Sequence, residues 1–126
     1  MHEFSLAQQI LRTCLASAAR YRAKRITRVS LQVGEFTLVV PLTLRECFRI
    51  ASAGTIAEGA ELAIERVPGE VKCNDCGHVG LADYEDDLPH VGLKLFSCKR
   101  CHSSNTTIVA GRELKVKNMS IEDPSG

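Results

Sequence analysis

The chain has 126 residues, with 16 Lys and Arg against 15 Asp and Glu, and a formal net charge of +1. That length fits one domain of ordinary size or a small domain carrying a metal-bound insert, and the near-neutral balance supplies no global field for nucleic acid or an anionic membrane. No apolar run reaches the roughly 18 residues of a membrane span, so the expectation is a soluble, cytoplasmic protein.

Leu6, Ala7, Ile10, Leu11, Cys14, Leu15 and Ala18 recur at three- and four-residue steps, which predicts an amphipathic helix over residues 5–22. Alternation follows: Val29, Leu31 and Val33 point one way while Arg28, Ser30 and Gln32 point the other, as in a strand with one wet face. Pro41 suits the first turn of a second helix, where its missing N–H is not needed, and Leu44, Cys47, Phe48 and Ala51 continue an apolar stripe up to Gly54. A further strand over residues 60–67 sets Leu62 and Ile64 inward and Glu61 and Glu65 outward, and Pro68-Gly69 ends it.

The cysteines come next. Cys73-Asn74-Asp75-Cys76 and Cys98-Lys99-Arg100-Cys101, with 21 residues between the pairs, have the spacing of a tetrahedral, all-thiolate zinc site. This segment has too few apolar residues to bury a core, so zinc would supply much of its folding free energy. Gly77 follows the first pair where the turn favours a positive φ; His102 holds the matching place after the second, so that turn is expected to be less ideal or differently shaped. Disulfides compete as a reading, but Cys14 and Cys47 lie on apolar helical faces and no secretory leader precedes them. Within the insert, Asp83, Glu85, Asp86 and Asp87 form an acidic loop, expected to be solvated surface, while Leu93, Leu95 and Phe96 give a small apolar patch. His78, His90 and His102 could each replace a thiolate or hold a labile ion, although four cysteines already complete a zinc shell.

The closing segment, residues 113–122, alternates with Leu114 and Val116 inward, then changes phase at Met119 and Ile121, which calls for a bulge near Lys117-Asn118. The order is helix, strand, helix, strand, metal insert, strand. Three strands with one apolar face and two amphipathic helices to cover them give a two-layer α/β domain. Residues 1–70 and 107–126 would form this discontinuous domain, and residues 71–106 the four-cysteine, zinc-ribbon-like insert.

Three further features bear on function. In Met1-His2-Glu3, the Met1 amine with the backbone nitrogen and imidazole of His2 can close adjacent chelate rings, with the Glu3 amide near a fourth position. Such nitrogen-rich, square-planar coordination suits nickel(II) or copper(II) better than zinc, and the Glu3 carboxylate could join as a ligand or as an acceptor for the imidazole. Arg20, Arg22, Lys24, Arg25 and Arg28 form a basic cluster that helix-dipole compensation explains in part. A zinc-ribbon adaptor binding nucleic acid or a protein complex through that surface is the alternative reading, but no aromatics interleave it among the six Phe and Tyr residues of the chain. No phosphate loop or nucleophile–base pair is visible, and four thiolates leave no open zinc position for water, so nothing marks an enzyme.

Met1-His2-Glu3 followed at once by a helix, then Cys73-x2-Cys76-Gly77, Cys98-x2-Cys101 and Gly111-Arg112-Glu113-Leu114-Lys115-Val116, resembles the HypA/HybF family of hydrogenase nickel-incorporation proteins over the whole chain. The resemblance implies a small nickel metallochaperone for maturation of NiFe hydrogenase, with separate nickel and zinc domains. It implies Met1, His2 and Glu3 as the nickel ligands and Cys73, Cys76, Cys98 and Cys101 as the holders of structural zinc. It also implies a HypB-type GTPase and the hydrogenase large-subunit precursor as partners, with urease accessory proteins for some members; the protein itself is expected to be mainly monomeric. Lys99 and His102 depart from the family's Cys-Pro-x-Cys-Gly, Met119-Ser120-Ile121-Glu122 from its Ile-Glu-Val-Glu, and Phe4 stands where Met or Leu is frequent.

Overall fold

The computed structural model describes residues 3–81, 83–84 and 96–123. The acidic residues Glu85, Asp86 and Asp87, His90, and the apolar Leu93 and Leu95 lie outside the described residues, as do Met1 and His2. Among the described residues, two helices and eight strands follow in the order α1 (Glu3–Arg20), β1 (Arg25–Gly34), a 3-10 turn (Glu35–Thr37), α2 (Pro41–Ser52), β2 (Glu61–Val67), β3 (Glu70–Cys73), β4 (Val79–Leu81), β5 (Asp83–Tyr84), β6 (Phe96–Ser97), β7 (Thr106–Ala110) and β8 (Leu114–Glu122). Two compact units divide the chain: Met1–Val33, Leu38–Arg66 and Leu114–Gly126 in the first, Gly34–Thr37 and Val67–Glu113 in the second.

The first unit is the expected mixed α/β layer pair. Its three-stranded sheet has the order β2-β1-β8, and β1 and β8 run antiparallel. Leu6, Ala7, Ile10, Leu11, Cys14 and Ala18 of α1 and Leu44 and Phe48 of α2 meet Ile26, Val29, Leu31, Val33 and Leu62 of the sheet in one core. Leu15, Cys47, Ala51 and Ile64 pack partly against it.

The β1–β8 register shifts twice, once in each strand. Ser30 pairs with Asn118 but Leu31 with Val116, so Lys117 is the extra residue, where the phase change in the sequence required it. A second shift was not anticipated: Ile26 pairs with Ile121 and Arg28 with Ser120, leaving Thr27 extra on β1, its hydroxyl donating to the Ser120 carbonyl at 3.2 Å. This second bulge rotates Ile26 onto the face of Val29, and both are fully buried.

Helix α1 ends two residues short of the expected boundary. Ala23 N–H donates to the Ala18 carbonyl and Arg22 N–H to that of Ala19, each at 3.1 Å, and Arg22 takes φ of 53°. This is a Schellman closure with Arg in the place glycine usually fills. Pro41 opens α2 as expected, with Val40 as its N-cap. Ser52, deep in the apolar stripe, is 1% exposed and donates its hydroxyl to the Arg49 carbonyl at 3.2 Å, which satisfies it within its own helix.

The second unit extends beyond the residues 71–106 expected for the insert. Its sheet has the order β4-β3-β7, so that β7 belongs here, paired with β3 from Cys73–Thr106 to Glu70–Ala110. A β5–β6 ribbon adds Tyr84 opposite Phe96. Residues 34–37, immediately after the core of β1, also belong to this unit. Gly34 N–H donates to the Glu113 carbonyl, Phe36 N–H to that of Gly111 at 2.8 Å, and the Glu35 carboxylate accepts Gly69 N–H at 2.7 Å. Among the described residues no helix is long and apolar enough to cross a membrane.

Candidate metal centre

Each cysteine pair sits on a tight turn, and the two turns share one set of hydrogen bonds. In the first, Gly77 N–H donates to the Cys73 carbonyl at 2.9 Å and Cys73 N–H to that of His78 at 2.8 Å. In the second, His102 N–H donates to the Cys98 carbonyl and Cys98 N–H to that of Ser103, both at 2.8 Å. Gly77 has φ of 77° and His102 φ of 63°. The expectation of a less ideal or different second turn is therefore corrected: His102 adopts the left-handed conformation itself, which a histidine tolerates better than most side chains.

The loops bring all four sulfurs together. They lie within 4.8 Å of one another, with Cys73 Sγ 3.5 Å from Cys101 Sγ and Cys76 Sγ 3.7 Å from Cys98 Sγ. Four sulfurs about 2.3 Å from one zinc ion would be spaced by roughly 3.8 Å, so the donor set and its geometry fit zinc. All six cysteines of the chain are free thiols. The cluster is also graded in exposure, since Cys73 and Cys98 are buried while Cys76 and Cys101 face solvent.

Backbone dipoles prepare the buried sulfurs for ionisation. The N–H of Cys101, followed by that of Arg100, draws the Cys98 thiol down to about 7, and the N–H of Cys76 lowers Cys73 in the same way. These donors approach at 3.3 to 3.4 Å. Ser103 N–H lowers Cys101 too, but the adjoining sulfurs of Cys73, Cys76 and Cys98 outweigh it and push that thiol up to about 12. Adjacent thiols cannot all ionise without a cation between them. A cation held between the four sulfurs would favour the fourth thiolate.

Beside the sulfurs, the Asp75 carboxylate accepts from the Ser103 hydroxyl and from Asn105 Nδ2, which hold its pKa below the usual range. His78 is half-buried and His102 exposed, and neither joins the sulfur cluster, the one group of three or more metal-binding side chains among the described residues.

Of the residues suggested for nickel, Glu3 is described. It forms the first residue of α1, and its carboxylate accepts Val40 N–H at 3.2 Å, on the residue that caps α2. Sequence reasoning gave no sign of this link, because nothing in a one-dimensional pattern pairs a carboxylate with a backbone amide 37 positions away. The basic residues Arg20, Arg22, Lys24, Arg25 and Arg28 are all exposed, with Arg28 Nε 3.9 Å from a Glu61 carboxylate oxygen.

Comparison with known proteins agrees with this architecture. A family model described as "Hydrogenase/urease nickel incorporation, metallochaperone, hypA" matches residues 1–121. The hydrogenase maturation factor HypA of Geobacter sulfurreducens is 39% identical over 123 residues, covering 97% of this chain and all of that protein. Its counterpart from Dehalococcoides mccartyi strain CBDB1 is 34% identical over 125 residues, covering 99% and 98%. Two solution structures share the fold. One, of the Ni metallochaperone HypA from Helicobacter pylori, has a TM-score of 0.64 at 24% identity and covers 98% of this chain and 99% of its own. The other, of a HypA protein, has a TM-score of 0.68 at 25% identity and covers 96% of each chain. With a whole-length family match, full-length relatives and four converging thiols, the chain belongs to the HypA family of hydrogenase maturation factors and nickel metallochaperones, which are not enzymes.

Proposed function

We propose that this chain carries Ni(II) on Met1, His2 and Glu3 and delivers it to the large-subunit precursor of NiFe hydrogenase, while Cys73, Cys76, Cys98 and Cys101 hold a structural zinc ion. The observation that carries the reading is the family match running from residue 1, which takes in the Met1-His2-Glu3 tripeptide. Helix α1 starting at Glu3 supports it, because the tripeptide then ends on a rigid element that can present it. Chelation by an amine, backbone nitrogens and an imidazole suits a square-planar ion. Ligands at a chain end also permit stepwise exchange to an acceptor, which a closed four-thiolate shell resists.

Under this reading a HypB-type GTPase and the hydrogenase precursor are the cytoplasmic partners, urease accessory proteins are further acceptors, and the protein acts mainly as a monomer. The family description, which names both hydrogenase and urease, supports the pair of pathways.

Nickel titration by calorimetry and optical absorption tests the cargo site, comparing the unaltered chain with His2→Ala and with a one-residue N-terminal extension. Loss of one nickel equivalent in either variant at unchanged zinc content is the expected result. Equal nickel binding in all three proteins overturns chelation by the tripeptide.

A further inference from the structure

The two cysteine pairs are far apart in sequence, yet hydrogen bonds outside the sulfur cluster join the first loop to the chain just after the second. Ser103 Oγ donates to Asp75 Oδ2. Asn105 Nδ2 donates to Asp75 Oδ1 at 3.1 Å, so both carboxylate oxygens are used. One residue earlier, Asn74 N–H donates to the Asn105 carbonyl at 2.9 Å, and Asn74 Nδ2 reaches Asn105 Oδ1 and Thr107 Oγ1, each at 3.1 Å. Asn105 N–H in turn donates to Ser103 Oγ at 3.1 Å, which fixes the hydroxyl that faces Asp75.

None of these contacts involves a sulfur. They need no metal, and those that cross between the loops join residues 28 to 33 positions apart, bridging the same intervening chain as the sulfur pairs Cys73–Cys101 and Cys76–Cys98, which are 28 and 22 positions apart. We propose that Asp75, with Asn105, is a clasp that holds the two cysteine loops in register independently of the metal, making both of them positioning residues for zinc. The proposal rests on the zinc reading given above.

The arrangement follows from chemistry available only in the first loop. The two residues between its cysteines are Asn74 and Asp75, one amide and one carboxylate, whereas Lys99 and Arg100 fill the second loop with cations that have no acceptor atoms. An ionised acceptor makes hydrogen bonds roughly twice as strong as a neutral one. Two donors converging on one carboxylate, beside a backbone bond, restrict the hinge motion by which the second loop would swing away and open the shell. The clasp therefore acts on the rate of zinc loss.

Zinc transfer from the full-length, zinc-loaded protein to an excess of a chromogenic chelator reads this rate directly. Asp75→Ala and Asn105→Ala are each expected to accelerate release about tenfold, the scale of a lost hydrogen bond to a charged group. The double variant should be no faster than the faster single one, because both changes open the same clasp. Asp75→Asn, which keeps an acceptor oxygen, should fall between, and Lys99→Ala on the other loop should leave the rate unchanged. If Asp75→Ala binds one zinc and releases it at the unaltered rate, the clasp is overturned while the zinc site stands. If the unaltered protein holds no zinc, the site assignment itself fails and the clasp with it.

A second measurement covers a variant that does not fold. In the unaltered protein stripped of metal, the Asn74 backbone amide and the Asn105 side-chain amide should keep dispersed NMR signals. Collapse of both to unfolded-chain positions overturns the proposal.

Discussion

The ring of Phe36 lies against that of Phe96, with centroids 4.5 Å apart and planes tilted by 41°. Phe36 belongs to the turn that follows β1, and Phe96 stands two positions before Cys98. The contact needs two glycines. A Cβ at Gly69 would sit 2.2 Å from the Phe36 ring, and one at Gly111, whose φ is 109°, would come within 2.8 Å of it. An aromatic side chain contributed from outside the insert thus supplies apolar packing that the cysteine segment lacks.

Phe36→Ala is accordingly expected to destabilise the second unit by about 2–4 kcal/mol, combining lost burial with a cavity that its neighbours fill only in part. Phe36→Leu should cost less. Urea denaturation followed by the release of zinc checks both, and a Phe36→Ala protein with an unchanged midpoint would remove the ring from the account of this unit.

The two cysteine turns offer a matched pair of backbone tests. At Gly77 a Cβ would meet nothing within 4 Å, so Gly77→Ala isolates the strain of a positive φ and should cost about 1 kcal/mol. At His102 the strain is already present, so His102→Gly should stabilise the zinc-loaded form by roughly 0.5–1 kcal/mol. Thermal melts of zinc-saturated protein read both changes, and opposite signs at the two positions are the expected signature.

Arg22 closes α1 at a φ of 53° and is exposed. Arg22→Gly is expected to raise the stability of the first unit by about 0.5–1 kcal/mol, since glycine enters the left-handed region without a Cβ penalty. A loss of stability in chemical denaturation would show that the guanidinium stabilises the helix end by more than its backbone strain costs.

Burial pushes the Cys14 thiol from 9.0 up to about 11. Its folded pKa therefore lies above its unfolded one, so between these values the unfolded chain has released a proton that the native protein keeps. Stability contributed by Cys14 is full below about pH 9 and declines as pH rises toward 11, by about 3 kcal/mol at most. Denaturation midpoints across that range should fall less in Cys14→Ala than in the unaltered chain. At neutral pH the native Cys14 should resist thiol reagents, being protonated and 1% exposed.

The elements of the first unit were legible because each is amphipathic with its own period. Leu6 to Ala18 at helical spacing, and Val29, Leu31 and Val33 in alternation, state which face is buried whatever covers it. The bulge at Lys117 was legible for the same reason, since an odd step between apolar residues on one strand demands an extra residue. The bulge at Thr27 leaves the same odd step between Ile26 and Val29, but it falls at the start of β1, where a single apolar residue ahead of the alternation sets no phase.

By itself, then, the sequence determined the helix and strand faces, the chain order and the two closely spaced cysteine pairs, each of which is encoded by residues near one another along the chain. Tertiary structure alone decided that Phe36 packs on Phe96, that Glu3 meets Val40 N–H, and that Asp75 grips Ser103 and Asn105. Those partners lie far apart along the chain and carry no shared periodicity. Their contacts exist only once turns, bulges and strand register have brought them within reach.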